Sequence, residues 1–114
     1  MYIILEKKLE DKSFIEERTE NFDEFQATVM NYPPEKVAPI CGITADEIET
    51  LAREYATTRP AAIRVNYGLQ RHAGGGMAIR TIACLPALVG AWREAAGGVV
   101  LSTSDFYGFD HRTL

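Results

Sequence analysis

A chain of 114 residues, 46% apolar and 25% charged, suits one domain that buries about 65% of its unfolded surface, too little to enclose a large active site unaided. Its longest uncharged stretch, Thr81 to Trp92, falls short of the roughly 20 residues of a membrane-spanning helix. The formal charge of −4 is uneven, with thirteen acids and seven bases in residues 1–59 but three acids and five bases, all Arg, in 60–114, so the second half favours an anionic partner while the overall sign argues against nucleic acid or membrane contact.

The N-terminal "MYIILEKKLEDKSF" reaches acids and lysines after a few apolar residues, so it predicts no secretory h-region of about 7 to 15 residues and leaves the compartment unassigned. Tyr2 to Leu9 reads as a helix with Ile3, Ile4 and Leu5 on one side, and a pattern that begins this way hints at excision from a larger domain. The run "EKKLEDKSFIEERTE" alternates in charge sign and reads as a solvated helical face. In "TENFDEF", Asn21 and Glu24 form a capping pair for a helix through Met30, with Phe22, Phe25 and Val29 apolar. "NYPPEKVAPICG" is a turn and a short helix, with Pro34 at its first position and Gly42 closing it.

"GITADEIETLAREY" carries the strongest local signal. Thr44 is an N-cap with Glu47 three residues on, a capping box, and Ile43 is placed to staple onto Ile48. Ile48, Leu51, Ala52 and Tyr55 then repeat at the spacing of one buried helical face, and the helix ends near Thr57. Pro60 to Gly68 reads as a buried strand because of Ile63 and Val65. Met77 to Val89 is apolar on nearly every face and reads as a helix buried on most sides, kinked or shortened by Pro86. Gly97 and Gly98 make a turn into a second strand, Val99 to Leu101, and "DFYGFDHRTL" reads as an irregular tail.

The predicted class is therefore α/β, mostly helical, in a single domain 1–114: a βαβ unit around residues 60–101 with a small parallel sheet, preceded by several helices. Two strands are too few for a self-sufficient sheet, which points to completion by further chain or a partner.

Little conventional chemistry is arrayed along this chain. Cys41 and Cys84 lie far apart without CxxC spacing and read as buried free thiols, so with His72 and His111 they offer no metal site. Ser102, Thr103, Ser104, Asp105 and His111 are not ordered as a triad, so no catalytic residue is assigned. Tyr55, Tyr67 and Trp92 read as core or boundary aromatics.

The remaining feature is "VNYGLQRHAGGGMAIR". A strand, glycine loop and helix present backbone N–H groups and a positive dipole end to an anion. The spacing fits neither GxGxxG nor a Walker loop. Arg71 can make a bidentate contact with phosphate, Gln70 can donate and accept at a heterocycle edge, and Gly74 to Gly76 allow close approach. The same residues equally suit an exposed turn with solvated side chains.

In order and spacing, "DKSFIEERTENFDEF", "YPPEKVAPICGITADEIETLAREYATTRPAAI" and "NYGLQRHAGGGMAIRTIACLPALVGAW" resemble an internal segment of the molybdopterin oxidoreductases, the family of dimethyl sulfoxide reductase, formate dehydrogenases, nitrate reductases and polysulfide reductase. The resemblance implies a fragment of a molybdenum or tungsten enzyme whose α/β region cradles molybdopterin guanine dinucleotide. Gly68, Gln70, Arg71, His72, Gly74 and Gly75 would then face that cofactor. It also implies that the chain alone is inactive, that its partners are the rest of the catalytic subunit and electron-transfer subunits, and that any 4Fe-4S centre lies outside this segment. Two other readings stand beside it. One is a non-catalytic domain forming a homodimer through exposed apolar surface around Ile82 to Val89; the other is a small nucleotide-binding domain.

Overall fold

Three adjacent apolar residues near the N-terminus organise the core. In a computed structural model, which describes residues 1–102, helix α1 (Tyr2–Glu6) buries Ile3, Ile4 and Leu5 together, so the short helix is enclosed and not merely faced on one side. It stops before Leu9 because Lys8 takes a left-handed φ of 56°. The amides of Lys8 and Leu9 turn back to the carbonyls of Leu5 and Ile4, a Schellman closure with lysine where glycine is usual. The tail Thr103–Leu114, with Ser104, Asp105 and His111, lies outside the described residues.

Within the charged run, α2 (Lys12–Arg18) is a separate helix capped by Asp11, whose carboxylate accepts from the Phe14 amide at 2.9 Å. Helix α3 (Phe22–Val29) follows, but Asn21 does not cap it with its side chain: it sits at φ 56°, where its backbone makes the turn instead. Helix α4 (Pro34–Cys41) has proline in its first turn and is ended by Gly42 at φ 72°, both as read from sequence. Helix α5 (Ala45–Thr57) has the complete capping box, with Thr44 Oγ1 accepting from the Glu47 amide and Glu47 Oε2 accepting from the Thr44 amide. Of its predicted buried face, Ile48, Ala52 and Tyr55 are half-buried, whereas Leu51 is 65% exposed and Ala56 is the buried residue.

Strand β1 (Ala62–Val65), helix α6 (Gly75–Leu88) and strand β2 (Gly98–Leu101) form the expected βαβ unit, with a single 3-10 turn at Ala91–Arg93. The strands pair in parallel, Ala62 opposite Gly98 through Val65 opposite Leu101. Two sequence expectations fail here for one reason. β1 is half-exposed along its length, and α6 buries only Gly75, Pro86 and Leu88 while leaving Met77 62% exposed. Parallel sheets and apolar crossover helices are normally covered on both faces; here α6 packs on β2 and α2 on α6, while Met77, Val100 and Leu101 stay exposed among the described residues. Pro86 is accommodated inside α6 near its C-terminal end, where it is buried.

The core therefore lies away from the sheet. Ile4, Leu5, Ile15, Ala56, Leu88, Val89 and Ala91 form one cluster that joins α1, α2 and α5 to the last turn of α6. Polar contacts fasten the same point. The Asp11 amide donates to Leu88 O at 2.7 Å, and Arg59 donates to Val89 O at 2.7 Å. Arg93 lies 3.4 Å from the Asp11 carboxylate, donates to Ser13 and stacks over the Phe14 ring. Gly90 has a φ of 67°, and a Cβ there would press into the Asp11 carboxylate.

Two outcomes test this junction. Gly90→Ala is expected to lower unfolding free energy by roughly 2–3 kcal/mol, combining left-handed strain with a displaced cap, as read from denaturant midpoints. The Phe14 amide, helped by Ser13 and Arg93, holds the Asp11 carboxyl below its ordinary value of 3.8. Its stabilisation is thus present above that value and lost as pH falls through the lower folded value. Asp11→Asn should show a shallower loss of stability below about pH 4 than wild type, checked by unfolding midpoints across the acid range.

Candidate functional site

Between β1 and α6 the chain makes three successive tight turns. Leu69 N donates to Asn66 O, Arg71 N to Gly68 O, and Gly75 N to His72 O, at 3.4, 3.3 and 3.0 Å. This spends the loop's backbone on itself and turns its side chains outward. Gly68, Gln70, Arg71, His72 and Gly74 are all exposed, and Gly75 alone is buried. The structure thus brings the six sequence-selected residues into one projecting loop at the N-terminus of α6.

The glycines are not equivalent. Gly74 is the N-cap at φ 84°, a conformation that suits glycine. At Gly75 a Cβ would lie 2.6 Å from Leu69 O and 2.7 Å from Gln70 Cα, so its missing side chain lets α6 pack on its own loop. Around Gly68 and Gly76 there is open space. The amides of Gly76 and Met77 find no acceptor among the described residues, as the first turn of a helix requires. Two N–H groups and the positive end of a 14-residue helix therefore face outward beside the loop.

The side chains have a matching character. Gln70 and Arg71 make no side-chain hydrogen bond among the described residues, so their donors are available. His72 Nδ1 lies 2.8 Å from Ala73 O. A carbonyl only accepts, so Nδ1 is the donor in this contact. The array is rich in donors and includes an amide that both donates and accepts, which fits a ligand bearing phosphate and a polar heterocycle.

Sequence reading did not single out Arg80. It stands one turn beyond Gly76 and lines two clefts against α3, of about 930 and 430 Å³. Residues 66–76 line neither cleft. Arg64, also unremarked, reaches from β1 to donate to the buried Ser102 hydroxyl at 2.8 Å. Both cysteines are free as expected, but the expected burial is wrong: Cys41 is exposed at the end of α4 and Cys84 is half-buried. Among the described residues no three His, Cys, Asp or Glu side chains are placed to hold a metal, and no helix is long and apolar enough to cross a membrane.

No family model matches the chain. It is, however, 39% identical over 114 residues to the probable oxidoreductase YoaE of Bacillus subtilis, covering all of this chain and 17% of that protein. It is 37% identical over 98 residues to formate dehydrogenase H of Escherichia coli, covering 86% of this chain and 14% of that one. With the acetylene hydratase of Syntrophotalea acetylenica the identity is 35% over 94 residues, 82% of this chain and 13% of the hydratase. The chain thus spans less than a fifth of each of these relatives.

The loop geometry separates two neighbouring substitutions. Gly75→Ala should displace the backbone at Leu69 and Gln70 and speed amide hydrogen exchange from Gln70 to His72, whereas Gly76→Ala should leave exchange there at the wild-type rate. Equal behaviour of the two would contradict the close approach at Gly75.

Proposed function

The chain is a segment of the molybdopterin oxidoreductase family, and we propose that its β1–α6 loop forms one wall of the pterin-cofactor site in a longer catalytic subunit. The observation that carries this is the outward-facing set of Gln70, Arg71 and His72 beside the free amides of Gly76 and Met77. Arg71 would hold a phosphate of molybdopterin guanine dinucleotide, the helix terminus would add its dipole, and Gln70 and His72 would meet the polar edge of the pterin or guanine. Gly68 would leave the ligand room, while Gly74 and Gly75 set the loop's shape.

Bound molybdenum or tungsten would supply the two-electron chemistry. The residues of this segment bind, orient and exclude water, and we assign none of them a catalytic step. In this reading the isolated chain is inactive, and any iron-sulfur centre and electron-transfer subunit belong elsewhere in the assembly. Similarity to both a formate dehydrogenase and an acetylene hydratase fits a segment that holds a cofactor without selecting the reaction.

The test uses the full-length parent. A bidentate contact to a charged group contributes roughly 1.5–3 kcal/mol, so Arg71→Ala should weaken cofactor retention about 10- to 100-fold. Arg71→Lys should recover part of it by keeping charge without the fork. Gln70→Ala should lower cofactor content to a smaller extent. Wild-type cofactor content and turnover in both alanine variants would overturn the assignment.

A further inference from the structure

The larger cleft is unrelated to the loop. At about 930 Å³, it is walled by helices α1, α3, α4, α5 and α6, with Phe25, Val29, Ile48 and Leu85 on its walls. Met77 and Tyr32 also line it, and they are 62% and 56% exposed. Covering large apolar side chains like these is worth about 1.5–3 kcal/mol apiece, a strong drive to fill the groove. Two charged side chains line it, Arg80 on α6 and Glu24 on α3, and neither has an ion-pair partner among the described residues.

Three facts specify the occupant. No strand residue lines the groove, so docking is by helix in groove and not by strand addition. Arg80 calls for an acidic side chain opposite. The chain spans 17% of the YoaE relative, so more than four-fifths of a polypeptide of that length is available to fill it.

We propose that the groove seats an amphipathic helix of the same full-length polypeptide, from outside residues 1–114. Its apolar residues lie between α3 and α6, and one acidic residue faces Arg80. The inference rests on the reading that this chain is one segment of a longer subunit, and it is independent of the cofactor role given to the loop. Such a helix would brace α6 from the side that the core leaves open.

The experiment places single cysteines in the full-length parent with its native cysteines kept, and labelling is read at the introduced site by peptide mass. Thr28→Cys and Thr81→Cys stand on opposite walls of the groove, both exposed in this segment, and Gln26→Cys on α3 lies outside it. Maleimide labelling is compared between native and denatured protein. At both groove positions native labelling should be slowed more than about tenfold, as for sites that open only with local unfolding; a smaller slowing overturns the proposal. A photo-reactive benzoylphenylalanine at Met77 should cross-link within one polypeptide, to a peptide outside residues 1–114. A cross-link to a second copy, to another subunit or to residues 103–114, or protection that grows with protein concentration, would overturn it. Cofactor content is measured on the same samples. An unprotected groove in protein that still loses cofactor on Arg71→Ala sinks this proposal alone, while a protected groove with cofactor indifferent to Arg71 sinks only the loop assignment.

Discussion

Asp11 joins the helical half of the molecule to the βαβ half. Its carboxylate caps α2, its amide donates to Leu88 O at the end of α6, and its second oxygen meets Arg93. The magnitudes rank these contacts. The ion pair is part-exposed on both sides and contributes about 0–1 kcal/mol. The cap and the buried-end hydrogen bond each contribute about as much or more, and the close approach of Gly90 admits no side chain between them. Arg59 repeats the arrangement on the adjoining carbonyl, Val89 O, while its Nε lies 3.3 Å from Glu94. The last turn of α6 is thus fixed from two directions at the point where the core cluster also closes.

This makes α6 an asymmetric element. Its C-terminal end is buried and held; its N-terminal end projects, with unsatisfied amides and a loop that approaches the helix closely at Gly75. The direction of the helix, set at Leu88, determines where Arg71 and His72 stand about twenty ångströms away at 1.5 Å per residue. The thin covering of the sheet and of the α3–α6 groove has the same origin, since the described residues bring most of their apolar packing to the anchored end.

Features that need only a few neighbouring residues were legible in the sequence. The Thr44 and Glu47 box, Pro34 and Gly42 are local chemistry, and the structure reproduces each. The order of strand, loop, helix and strand, and its parallel pairing, also followed from spacing. Asn21 and Lys8 were not legible, because an L residue at positive φ is selected by the turn it must close and not by its own preference. Asp11 was hidden in a run whose alternating charges read as a solvent face. Leu51 fits a buried periodicity yet is exposed, because periodicity reports a surface that wants covering and not whether this stretch supplies the cover. At the loop, residue types indicated an anion partner. That Gly75 is required by the chain's own backbone is a through-space fact that no spacing encodes.

The free amides of Gly76 and Met77 also bear on folding. A helix whose first turn is left to solvent gains when an anion occupies it, and a ligand that binds only the folded form adds RT ln(1 + [L]/Kd) to stability. The exposed start of α6 is therefore an end at which a bound anion would add to the stability of the fold.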